Sequence, residues 1–154
     1  MAAPITLLSR KNYEAMIKNS VGSALFRNLY ATQEGREEDI VQGGALSCAL
    51  FVSSILHHFK LIETPHATVA GTVADMRLNG WKETERMDDG AVLVWEEVQQ
   101  AGGRHIHIGF YIGDGRAVSN SSDEGVPTLH DQTFGGTRKI TSVFSHPFLK
   151  GESA

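Results

Sequence analysis

At Asn79-Gly80 the chain changes its hydrophobic period. Upstream, apolar residues recur at spacings of three and four; downstream they come in short alternating or continuous runs. Tyr13, Met16, Ile17, Val21, Ala24 and Leu25 predict an amphipathic helix over 12–29 despite Gly22. The polar stretch TQEGREEDIVQGG then reads as a surface loop. Ala49, Phe51, Val52, Ile55, Leu56 and Phe59 predict a buried helix starting at Cys48, with Ser47 able to cap it. Beyond Pro65, TVAGTVADMRL predicts a third helix closed by Asn79 and Gly80. WKETE, AVLVWEEV, HIHIGFYI, RAVSN and KITSVF read as strands, with turns at Asp89-Gly90, Gly102-Gly103 and Gly113-Asp114-Gly115. Helices first and hairpin-linked strands afterwards define an α+β domain: N-terminal helices packed on an antiparallel sheet.

With 154 residues, 41% of them hydrophobic, the chain suffices for one core, so 1–154 is expected to be a single domain. Fourteen basic residues against 18 acidic ones give a net charge of −4, which disfavours nucleic acid and anionic lipid as partners. No stretch approaches the roughly 20 apolar residues of a membrane span. The amino end has no basic segment before its short apolar run, so the default expectation is a cytoplasmic protein, with export by another route as the exception. A single cysteine excludes an intrachain disulfide, and no cofactor is implied.

That cysteine, Cys48, opens the central helix. There the macrodipole favours a thiolate, predicting a thiol that titrates below its ordinary range. A nucleophilic cysteine needs a base. His57 and His58 lie at the far end of the same helix and cannot return to it. In HIHIGFYIGDGR, alternation places His105, His107, Gly109 and Tyr111 on one face. Gly109 leaves room for another element, expected to be the cysteine helix. A third group should hold the imidazole of His107 in the right tautomer. A three-residue loop 113–115 puts Ser119 opposite Gly109; a two-residue turn puts Asn120 there. Asn120 is the better chemistry, because its amide oxygen accepts from the ring in a fixed orientation. The expected catalytic set is Cys48, His107 and Asn120, with Ser119 as the alternative.

SCALFV opening a helix, and HIGFYIGDGR on a hairpin, resemble the NlpC-type cell-wall peptidases of the papain-like cysteine peptidase superfamily. DDGAVLVW at 88–95 is similar to that family's strand before the histidine strand. The resemblance implies a papain-like fold with Cys48 as nucleophile, His107 as base and then acid, and the orienting residue aligned with Ser119. It also implies a peptide or peptidoglycan-fragment substrate. Relatives carry aspartate before the cysteine and serine-glycine after it, where this chain has Ser47, Ala49 and Leu50; Leu50 could crowd the groove. They also carry an upstream tyrosine near the oxyanion site; here Arg36 occupies that place and Tyr30 is the nearest tyrosine.

Blander roles compete at several positions. Cys48 could be a plain core residue. His105 and His107 could chelate zinc with Cys48, although no further ligand is in evident reach, and His105 otherwise reads as an exposed neighbour. His130 with Asp131 could form a second acid-base pair, but a turn hydrogen bond after Pro127 is the commoner reading, and the pair stays outside the expected site. Trp81, Trp95 and Phe110 read as core aromatics, and Glu37-Glu38-Asp39 as a solvated loop. The function expected is a cysteine amidase or peptidase; the alternative is a papain-like binding module without turnover.

Overall fold

The computed structural model of the chain describes residues 2–100 and 102–151. Three helices, α1 (Ser9–Asn19), α2 (Cys48–His58) and α3 (Val69–Leu78), precede most of the sheet. α1 is shorter than its apolar spacing predicts. Ser20 turns its hydroxyl back onto the Met16 carbonyl at 2.7 Å, and Gly22 adopts φ +80°, so the helix stops there. Val21 and Leu25 continue the helical spacing but are exposed, whereas Tyr13 and Ile17 are fully buried.

The expected surface loop instead holds a hairpin, β1 (Tyr30–Gln33) with β2 (Arg36–Asp39). Its turn residues Glu34 and Gly35 both have positive φ, as a two-residue hairpin connection requires. Neither strand has an apolar face, so the pattern that normally betrays a strand is missing. Asp39 then organises the path to α2. Its carboxylate accepts from the backbone N–H groups of Leu29, Val41 and Gly43 and from the Asn28 amide. Those bonds, that from Leu29 foremost, hold its pKa down at about 2.

The remaining strands are β3 (Lys82–Glu83), β4 (Val92–Gln100), β5 (Gly103–Gly113), β6 (Arg116–Asn120), β7 (Pro127–Asp131) and β8 (Ile140–Ser145). They form one sheet in the order β3-β8-β4-β5-β6-β7, and every pairing among the described residues is antiparallel. The structure is thus α+β with a helical amino-terminal part and an antiparallel sheet.

α2 is the centre of the packing. Seven of its residues, Ala49 to Ser53 with Ile55 and Leu56, are buried. Phe110 of β5 receives Phe51 of α2 and Tyr13 of α1 edge-on, with centroids 5.4 and 5.9 Å away. Such pairs add about 0.5–1.5 kcal/mol each beyond their area burial. Tyr13 also donates its hydroxyl to the Gly90 carbonyl at 2.7 Å, tying α1 to the turn before β4. The helices therefore cover the Ile108/Phe110 face of β5. Among the described residues no helix is long and apolar enough to cross a membrane.

Candidate active site

Cys48 and His107 line one pocket of about 1120 Å³, together with Ser119, Asn120, His130, Phe134 and Arg138. No hydrogen bond joins the sulfur to the imidazole among the described residues. The sulfur rests against β5 at Ile108, whose backbone N–H points to it, so it lies beside the strand position next to His107. Ser47 does not cap α2: its hydroxyl makes no cap bond and is buried without a partner among the described residues. No side-chain cap therefore covers the first amides of the helix among the described residues; those of Cys48 and Ala49 turn towards the sulfur, on the side where an oxyanion would form.

His107 is held by a chain of hydrogen bonds whose direction can be worked out. His130 Nδ1 lies 2.7 Å from the Asp131 carbonyl, which can only accept, so Nδ1 carries a proton. In neutral His130 the other nitrogen, Nε2, must then accept. It does so from the Ser119 hydroxyl, 2.6 Å away. With its proton committed there, Ser119 Oγ accepts from His107 Nε2–H at 2.9 Å. His107 is therefore the Nε2–H tautomer, and Nδ1, unpartnered among the described residues, keeps its lone pair as a base.

Sequence reasoning raises His130 only as an acid-base partner of Asp131 and leaves it outside the site. It lies on β7, which was read as a turn, and the turn bonds belong to Asp131 instead: its carboxylate accepts from Thr133 and Gly135. That loop lays Phe134 flat on the His130 ring, with centroids 4.0 Å apart. Trp95, fully buried, backs the cluster from the core with its ring 5.2 Å from that of His107. The available signal was Pro127 at the start of a five-residue edge strand, a place that tolerates proline.

The choice between Ser119 and Asn120 is settled by a bulge on β5 at Ile112, not at Gly115 where the three-residue loop would place it. The turn has two residues, since Gly113 pairs with Arg116. The register then slips by one residue at Ile112, so that Tyr111 pairs with Ala117 and Phe110 with Val118. This restores Ser119 to the position opposite Gly109. Asn120 is therefore not the group against His107. It points the other way, donating at 2.7 Å to the Gly44 carbonyl and pinning the approach to α2 onto β6. Gly109 likewise serves a different neighbour from the one expected. A Cβ there would sit 2.6 Å from Ser119 Cβ and 3.0 Å from the Trp95 ring, so its bareness admits β6 and the indole, not the cysteine helix.

Burial decides the charge states. It pushes the Cys48 thiol up, outweighing the N–H groups of Ile108, Ala49 and Cys48 and the Arg138 charge, which all pull down. The thiolate expected from the helix terminus alone is overridden. Burial, then the Arg138 and His130 charges, brings His107 down to about 3. The resting pair is thus a thiol and a neutral imidazole. An unfolded His107 titrates near 6.5 and so binds the proton before the folded one does. The stability contributed by the neutral ring is whole above about pH 6.5 and is lost as pH falls towards 3. Urea midpoints are expected to drop between pH 7 and pH 4, and to drop less in His107→Asn. His130, also lowered by burial, acts in the same window, whereas the lowered carboxylates Asp75 and Asp131 act at more acid pH.

Other expectations fall elsewhere. Tyr30 is 70% exposed on β1 and does not line the pocket, so it is no oxyanion group here. Leu50 is buried and leaves the pocket open. His105 is half-buried at the pocket wall, its Nε2 without a partner among the described residues. No cluster of three or more His, Cys, Asp and Glu among the described residues is placed to hold a metal ion. Compared with models of known protein families and with curated proteins, the chain matches none.

Proposed function

We propose that this protein is a cysteine hydrolase of amide bonds, with Cys48 as nucleophile and His107 as base. The observation that carries the reading is the free Nδ1 of a tautomer-locked imidazole in the same pocket as a thiol at an uncapped helix start. Because the resting pair is neutral, the thiol loses its proton in step with attack. His107 Nδ1 takes that proton while the sulfur bonds to the carbonyl carbon. The first amides of α2 receive the negative oxygen. The carbon–nitrogen bond then breaks, His107 returns the proton to the departing amine, and water hydrolyses the thioester. His107 alternates with Ile108 and Phe110, whose face α2 covers, so the proposed transfer requires substrate binding to bring the thiol and the ring together.

The resemblance to NlpC-type enzymes directs the substrate towards peptides of bacterial cell-wall type, including the γ-D-glutamyl bond to diaminopimelate. A cytoplasmic enzyme would meet these as recycled wall fragments. The tripeptide L-Ala-γ-D-Glu-meso-diaminopimelate is expected to be cleaved by the wild type and left intact by Cys48→Ala, as read by mass spectrometry. Alkylation of Cys48 by iodoacetamide is expected to rise with pH through a midpoint above the ordinary thiol value of about 8.5, because burial raises its pKa. A folded protein that neither cleaves the peptide nor alkylates at any pH would instead be the binding module, a reading that burial of the thiol favours.

A further inference from the structure

Arg138 carries the one guanidinium in the pocket wall that lacks an acidic partner among the described residues. Arg104, the other arginine there, pairs with Glu97 at 3.3 Å. Arg138 is only 9% exposed. Its Nε donates to the Glu96 carbonyl at 3.0 Å and its Nη2 to the His105 carbonyl at 2.7 Å. Both acceptors lie where the β4–β5 register shifts between Trp95 and Val98, so Arg138 satisfies backbone groups near that irregularity. Carbonyl dipoles occupy two of its five N–H groups, and among the described residues no carboxylate forms a salt bridge with it, although the Glu96 charge lies near enough to favour the cation. The nearby Glu96 carboxylate is taken by the Lys139 backbone N–H at 2.7 Å. That bond leaves the Glu96 charge in place but engages one of its oxygens away from the guanidinium, so a mostly buried Arg138 still lacks a carboxylate in direct contact and gains from one that arrives. Its charge is felt by both Cys48 and His107, so it stands close to the place where a substrate carbonyl must sit.

We infer that Arg138 binds a carboxylate on the substrate, carried within a few atoms of the carbonyl that Cys48 attacks. The inference rests on Cys48 being an accessible nucleophile, as proposed above. A guanidinium recognises a carboxylate through paired N–H groups, and Nη1 is unpartnered among the described residues on a side chain that already lines the pocket. The uncapped amides at the start of α2 add donors on the same side as the sulfur. The site is thereby selective for acidic substrates over their amides, and Arg138 is a specificity-determining residue.

Two alkylating reagents of nearly equal size separate these ideas without any substrate. Iodoacetate carries a carboxylate one carbon from the atom the sulfur attacks; iodoacetamide is its neutral counterpart. The ratio of their second-order rates at pH 9, normalised to the same ratio for glutathione, is expected to favour iodoacetate about tenfold at Cys48. In Arg138→Gln the ratio should return to that of glutathione. A wild-type ratio equal to that of glutathione overturns the inference while leaving the nucleophile intact. So does a preference that persists in folded Arg138→Gln, because the helix amides alone would then explain it. If that variant fails to fold, Arg138→Lys, which keeps but displaces the charge, should lower the preference severalfold; an unchanged ratio again overturns the assignment. Failure of both reagents with folded wild-type protein removes the nucleophile and this inference with it.

Discussion

Ser119→Ala is expected to slow the proposed hydrolysis by about 100- to 1000-fold while leaving the fold in place, because correct presentation of a general base is worth factors of that order. The loss arises in the imidazole. Without Oγ, His107 Nε2–H has no acceptor, and the ring is free to place its proton on Nδ1, where it can no longer take one from the thiol. His130→Ala acts in the same direction by a different route. Ser119 Oγ then has no Nε2 to donate to and turns its proton towards His107, selecting the opposite tautomer. Nitrogen chemical shifts of the His107 ring read the tautomer directly, independently of the rate. Unchanged shifts in both variants, or an unchanged rate in Ser119→Ala, would show that the chain of hydrogen bonds does not set the base.

Gly44→Ala is expected to destabilise the protein by about 3 kcal/mol or more, combining a positive-φ penalty with overpacking. At this chain length that lowers the melting temperature by roughly 6–12 °C. Gly44 has φ +97°, a conformation that an alanine enters only with strain. A Cβ there would overlap the Gly125 carbonyl oxygen and lie 2.7 Å from its Cα and 2.8 Å from its carbonyl carbon. All three atoms are backbone, so no side chain can swing away. The same displacement breaks the Asn120 bond to the Gly44 carbonyl and loosens the chain entering α2. Gly43→Ala is the control. Its φ is +66° with nothing within 4 Å of the added atom, so only the conformational penalty of about 1 kcal/mol remains. Equal urea midpoints for the two variants would refute the steric cause.

The helix of Cys48 and the strands β4, β5, β6 and β8 were legible because each carries a run of apolar residues or a strong period. Residues 48–58 bury most of their circumference, and the stretch from His105 to Ile112 alternates isoleucine and phenylalanine with His105, His107, Gly109 and Tyr111. What escaped notice lacks such a period or depends on distant pairing. The 30–39 hairpin has no buried face. β7 has five residues and begins with proline, so His130 looked like part of a turn until its pairing with Ala117 placed it diagonal to Ser119. The ordinary expectation for a helix-terminal thiol failed for a related reason. Burial is a property of the packed tertiary structure, and it outweighs a local dipole that the sequence does reveal. The geometry around His107 therefore required the partner strand, its register and the loop bearing Phe134, none of which local patterning specifies.

The extra residue at Ile112 gives this hairpin an unusual kind of adjustability. Side chains on a strand alternate, so the length of the connection acts as a selector switch between two neighbours, one ending in a hydroxyl and the other in a carboxamide. Drawing Ile112 into the ladder opposite Ala117 would shift β6 by one residue and bring the second to the imidazole without any substitution at either position, whereas deleting Ile112 would leave Ser119 in place. In such a ribbon, the identity of the orienting group is inherited through spacing as much as through residue type.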